Sequence, residues 1–165
     1  MNALYSFLWI LLCLVLQVLV FNHLHLFGGI VLIYLIALIK MPVNINRSFQ
    51  ILIGFLCGLL IDIFSNTIGM HALACTTIMW MRLPLLHMYI NAEDFKTGVP
   101  NSDRLSISVF IRYALTIVSV HTVLLYLIES FTLFNIVPLL LKIVITVALT
   151  FVFLMALELA SVTKK

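Results

Sequence analysis

From Met1 to Ile39 the chain carries no Asp, Glu, Lys or Arg, and from Ala3 onward it is apolar except at Ser6, Gln17 and Asn22-His23-Leu24-His25. As one helix this run would measure roughly 55 Å against a hydrocarbon core of about 30 Å, so it must fold back on itself. The Asn-His-Leu-His stretch supplies the turn. It divides the run into a first span near Ala3 to Phe21 and a short second one near Leu24 to Ile39, which contains Gly28-Gly29. Composition agrees: 64% of the residues are hydrophobic and 9% charged, whereas soluble domains carry about 25% charge. Soluble, disordered and collagen-like classes are excluded, leaving an all-α polytopic membrane protein.

A third span reads from Phe49 to Phe64, ended by Ser65-Asn66-Thr67. A fourth runs from Ile68 to Ile90, with Arg82 and Pro84 in its last third; the missing proline N–H predicts a kink or an early end there. Asn91 to Arg104 is the one long polar segment, broken by Gly98 and Pro100. A fifth span covers Leu105 to Ile128 and a sixth Ile136 to Ala160. The expectation is one integral membrane domain of six transmembrane helices over residues 1–165. With both termini in the cytoplasm, Lys40, Arg47, Lys96, Arg104, Lys164 and Lys165 all fall on the cytoplasmic side, as the positive-inside bias requires. Met1-Asn2-Ala3 offers no basic n-region and no cleavage pattern follows, so the first helix is expected to be an uncleaved anchor.

Function must then reside in the spans and short loops. Cys13, Cys57 and Cys75 lie within spans in no metal-like spacing and read as small packing residues. His23 and His25 have no third ligand nearby and read as interfacial. The net charge of +3 sits at the cytoplasmic edges, where it favours anionic headgroups, and there is no nucleic-acid footprint. Walker loop, nucleophile elbow, paired catalytic carboxylates and HExxH are all absent from the sequence, so no catalytic residue, cofactor or metal is expected.

Four ionisable residues interrupt the apolar stretches: Asp62, Arg82, Arg112 and Lys142. Each costs about 2.5–3.5 kcal/mol at mid-bilayer. Arg82 and Arg112 lie in the cytoplasmic thirds of their helices, where snorkelling relieves the cost. Asp62 is too short to snorkel. Gly54, Gly58 and Asp62 recur at i, i+4 and i+8, giving one helical face with two glycines and a carboxylate. That face either packs within the chain or receives a partner helix, and both readings turn Asp62 toward protein. Lys142, at similar depth, is expected to form an ion pair with it. The stripes Arg112/Thr116/Ser119, Lys142/Thr146/Thr150 and Gly69/Ala72/Thr76 read as helix-packing faces, and His121 as an isolated hydrogen-bonding residue.

The stretch from Gly54 to Leu73, GFLCGLLIDIFSNTIGMHAL, resembles the rod shape-determining protein MreD family, matching it at Gly58, Asp62, Gly69, His71 and Ala72. The chain departs from many members at Phe27-Gly28-Gly29, where they carry a proline. The resemblance implies a non-enzymatic, multi-pass component of the bacterial cytoplasmic (inner) membrane that serves the rod-shape, or elongation, machinery. Its implied partners are the single-span protein MreC and, through it, the MreB filament and the peptidoglycan synthase of RodA and its penicillin-binding partner. The implied fold is similar to the substrate-binding subunits of energy-coupling-factor vitamin transporters. Gly54, Gly58, Asp62, Gly69, His71 and Ala72 are then partner-binding or structural. The alternative is a small-solute or vitamin-binding transport subunit, which needs Asp62, His71, Arg112 and Lys142 to converge on a polar pocket. An intramembrane lipid-processing enzyme is a third reading, and the sequence lacks the acidic cluster that metal-assisted phosphoryl chemistry uses.

Overall fold

An apolar segment can remain in lipid only if its backbone polar groups are satisfied, which long helices achieve alone and broken segments achieve only with help. Both solutions occur in this chain. A computed structural model describes residues 3–67, 69–91, 98–130 and 136–162; Glu93, Asp94, Lys96, Lys164 and Lys165 lie outside them. Helix α1 (Ala3–Leu16) runs into a π-helical turn over Gln17–Phe21. The other long helices are α3 (Arg47–Ser65), α4 (Met70–His87), α6 (Ile107–Glu129) and α7 (Ile136–Val162). Two short ones, α2 (Tyr34–Ile39) and α5 (Ser102–Leu105), complete the helices among the described residues. By length and composition α3, α6 and α7 can each cross a membrane. The largest interface is α3 on α4; α4 also packs on α6, α6 on α7, and α1 on α2.

The second span is not the helix that hydropathy predicts. Only its last six residues are helical, and they follow a small hairpin of β1 (His25–Leu26) and β2 (Gly29–Ile30), with His25 opposite Ile30 and Leu26 opposite Gly29. The two turn residues, Phe27 and Gly28, both have positive φ (53° and 81°), as the twist of a two-residue hairpin demands. After Gly29 the chain is buried but not helical at Val31 and Leu32, and at Ile33 it turns into α2 (φ −67°, ψ −29°). Gly29 is required by close approach: a Cβ there would lie 2.7 Å from Ile145 Cγ2 on α7.

Side chains of other elements satisfy the backbone of this stretch. The Ile30 N–H donates to Thr146 Oγ1 (3.2 Å) and the Leu32 N–H to Thr150 Oγ1 (3.1 Å). The Ile33 N–H donates to Gln17 Oε1 (2.8 Å), and Gln17 Nε2 returns a bond to the Val31 carbonyl (3.1 Å). Thr146 and Thr150, read from the sequence as helix-packing residues, thus act on the backbone of β2 and of the segment that follows it.

Arg82 does not snorkel. Its side chain is fully buried and donates to Tyr113 Oη (3.2 Å), Gln50 Oε1 (2.9 Å) and the carbonyls of Ile39 (3.1 Å) and Met41. Ile39 is the last residue of α2 and Met41 lies just beyond it, where orphan acceptors and the helix dipole both favour a cation. Arg112 does follow the expectation: it is exposed and bonded locally to Ser108.

Pro84 neither ends α4 nor leaves its carbonyl stranded. The helix continues to His87, and the Trp80 carbonyl, which would have accepted from residue 84, accepts instead from Arg47 Nη2 at 2.9 Å. Glu158, four residues before the end of α7, is fully buried. It forms an ion pair with Lys40 and accepts from the Ser102 N–H (2.8 Å) and hydroxyl (2.7 Å), tying α5 and the end of α2 to α7.

Candidate functional site

The turn between α3 and α4 gathers the residues that the sequence singles out. Helix α3 ends at Asn66 in the left-handed conformation (φ 54°, ψ 41°), and Gly69 at φ 71° starts α4. Glycine has no side chain with which to cap that helix. Asp62, one turn back on α3, does so across the turn: Oδ1 accepts the His71 N–H (3.0 Å) and Oδ2 the Ala72 N–H (2.9 Å). Oδ1 also accepts the Thr67 hydroxyl at 2.5 Å and lies 3.0 Å from His71 Nδ1. Four donors and the positive end of α4 therefore surround a carboxylate that is only 2% exposed.

This arrangement corrects the expected Asp62–Lys142 pair. No ion pair joins the two; Lys142 is exposed on α7 while Thr146 and Thr150 of the same stripe turn inward. Helix-end N–H groups take the place of a cation, so the carboxylate is compensated by its own neighbours in sequence.

The glycine face is occupied by the chain itself. A Cβ on Gly58 would lie 2.5 Å from Ala72 Cα, and one on Gly54 3.1 Å from the Cys75 carbonyl oxygen. Gly54 and Gly58 thus permit α3 and α4 to meet backbone to backbone, which is their structural reading; a face so filled has no room for a partner's helix. Gly54, Gly58, Asp62, Gly69, His71 and Ala72 form one hydrogen-bonded helical hairpin.

Beyond this hairpin the polar contacts extend inward. The His71 ring meets the Tyr34 ring edge to face at 6.2 Å, and Tyr34 Oη lies 3.1 Å from His121 Nε2, with Cys75 Sγ 3.7 Å from the same nitrogen. His121, which reads as isolated in the sequence, is therefore the inner end of a buried series that runs Asp62, His71, Tyr34, His121. Its Nδ1 and the neighbouring Thr122 Oγ1 are buried without hydrogen-bond partners. Arg112 and Lys142 do not join this series, so the four-residue convergence required for a solute pocket does not form. Among the described residues no group of three His, Cys, Asp or Glu is placed to hold a metal; His23 is exposed, and the His25 side chain lies outside the description.

Tyr34, Gln17 and Glu158 escape sequence reasoning as site residues. One signal marks Gln17: it is the single polar residue between Ser6 and Asn22, and an amide in lipid must find a partner. Tyr34 has no such mark. No family model, characterised protein or solved structure matches the chain in comparison. The described fold is mostly helical, with three helices long and apolar enough to cross a membrane, and many of its buried polar side chains hold its own backbone.

Proposed function

We propose that the chain is a non-enzymatic scaffold or regulator of the bacterial rod-shape (elongation) complex, similar to the MreD family. It would bind an MreC-like single-span protein and so help position peptidoglycan synthesis. The observation that carries this reading is the α3–α4 hairpin: Gly58, Asp62, Gly69, His71 and Ala72, the positions of the family resemblance, work as one unit. Each has a task there that its residue type explains.

The topology we infer has six passes, the second made by the hairpin, residues 31–33 and α2, with both termini in the cytoplasm. Its support is that Asn22 bonds Ser65 at 2.7 Å, placing the ends of α1 and α3 together, while Lys40 pairs with Glu158 near the end of α7. On this topology residues 22–40 run from one end of the bundle to the other. A fold similar to the energy-coupling-factor subunits belongs to the same proposal. The partner's contact surface is sought outside the glycine face.

Depletion from the source cell tests the reading. Rods are expected to become spheres, and a tagged copy is expected to co-purify with a single-span protein bearing an extracytoplasmic domain. Depleted cells that keep their shape would sink it. The second reading, a vitamin- or small-solute-binding transport subunit, loses the convergence on Arg112 and Lys142 and keeps in its support only the unpartnered His121 Nδ1 and Thr122 Oγ1. Co-purification with an ATPase instead would select it.

A further inference from the structure

Three features mark one level along α6 and α7. Tyr126 Oη lies 3.0 Å from Thr146 Oγ1, which sets the register of the two helices. Toward their shared end, Glu129 lies three residues beyond Tyr126 and Lys142 four residues beyond Thr146, about 5 and 6 Å at the helical rise. Both are exposed, and neither joins an ion pair among the described residues. The third feature is the hairpin. Ile30 is held at Thr146 and Leu32 one turn further along α7 at Thr150, so the tip, Phe27-Gly28, lies the other way, toward the start of α7. Two residues of strand beyond Ile30 cover about 7 Å, which brings the tip level with Lys142.

Hydrocarbon must end at that level. Ladder pairing stops at Leu26 and Gly29, which leaves the Phe27–Gly28 peptide without a ladder partner; Phe27 is 88% exposed, and a Cβ on Gly28 would meet nothing within 4 Å. Peptide groups so open are not tolerated against lipid tails. Helix α7 agrees: from Ile143 to Val162 it measures roughly 30 Å, the thickness of the hydrocarbon core. Its first residues, Ile136 to Leu141, then stand clear of the core by about 9 Å. They read IVPLLL, without a polar side chain, and Ile136, Val137, Leu140 and Leu141 are each more than half exposed. An apolar helix end outside the hydrocarbon, with Phe27 level with its foot, is a surface that water does not suit and lipid tails do not reach.

We propose that this projecting end of α7 is a docking surface for an apolar segment of a partner anchored in the same membrane, at the point where that partner's span leaves the lipid. Height selects the occupant. A collar of about 9 Å, less than two helical turns, begins at the lipid surface, so a segment that covers it must itself rise from the bilayer alongside. Charge disfavours a second copy, because a two-fold axis along the membrane normal would set Lys142 level with Lys142 and Glu129 level with Glu129. A different chain can bring a carboxylate to Lys142. That the partner is the single-span protein rests on the function proposed above; the projection of α7 does not.

The projection is tested on the chain alone. In nanodiscs, Val137→Cys is expected to react with a membrane-impermeant maleimide about tenfold or more faster than Val152→Cys, which is as exposed on α7 but lies in mid-bilayer. The native cysteines are buried, and wild-type protein sets the background. Equal rates would overturn the projection and the proposal with it. Docking is tested in the source cell with the full chain. A photo-crosslinking amino acid in place of Val137 is expected to give an adduct that mass spectrometry identifies as a single-span protein, and one in place of Phe55, exposed on α3, is not. Adducts between two copies of the chain, equal adducts at both positions, or none at Val137 would each overturn it. If depleted cells round up but Val137 gives no adduct, this surface is refuted and the cell-shape reading stands. An adduct with a single-span protein in a cell that keeps its shape on depletion upholds the surface and refutes that reading.

Discussion

Helix α2 has six residues and every one is buried, whereas α7 has 27 and only 17% of its most apolar window lies inside the protein. In water the longer, greasier helix would be the central one. Lipid reverses the order: α7 satisfies its own backbone and needs only an apolar surface, so it can stand at the periphery. The stretch leading to α2 cannot satisfy itself. It is central because the groups that complete it, on Gln17, Thr146, Thr150 and Arg82, must approach from different elements. Polar residues in this protein thus mark where the backbone is broken, and apolar surface marks where it is whole.

The contrast breaks most severely at Arg82. Arg82→Met removes donors from the carbonyls of Ile39 and Met41 and from the side chains of Gln50 and Tyr113, all within a buried site. A loss of about 3 kcal/mol or more is expected, since each buried group left unpaired costs about 1–3 kcal/mol. Denaturant titration in mixed micelles measures it. If stability is unchanged, α2 does not depend on this cation.

Next in size is the cap on α4. Asp62→Ala frees two helix N–H groups and the Thr67 hydroxyl, for an expected loss of about 2–3 kcal/mol, with Asp62→Asn losing less because its carbonyl still accepts one bond. Lys142→Met is expected to leave stability unaltered, and the double variant to match Asp62→Ala. A double variant more stable than Asp62→Ala would restore the ion pair that the geometry excludes.

These residues also show how far the sequence is legible. The boundaries of α3, α4, α6 and α7 follow from hydropathy and turn residues, because long helices in lipid are local objects. The Gly54, Gly58, Asp62 face is legible for the same reason, since the i, i+4, i+8 spacing fixes it within one helix. What answers that face is not legible from spacing: Asp62 finds its donors at residues 67, 71 and 72, across a reversal whose angle depends on Asn66 and Gly69 adopting positive φ. The second span misleads for a related reason. Nothing in Leu24 to Ile39 says that its break will be stabilised by threonines more than a hundred residues away. Hydropathy measures whether a segment belongs in lipid, and it is silent on whether that segment is helical there.

The finest test compares two single substitutions on α7. Thr150→Val keeps the side chain's shape and removes the acceptor for the Leu32 N–H. The expected loss is about 0.6 kcal/mol and at most about 1.7 kcal/mol, the mean and the maximum measured for side-chain hydrogen bonds between membrane helices. Val144→Ala, six residues earlier on the exposed face, deletes more apolar volume. It is nevertheless expected to change stability by less than about 0.5 kcal/mol, because lipid tails refill the space and no cavity remains. In a soluble core the ranking would be the opposite, with methylene loss outweighing a single bond. Paired measurements in the same micelles decide it: if Val144→Ala is the more damaging of the two, α7 is buried against protein in the membrane, and its peripheral position is wrong.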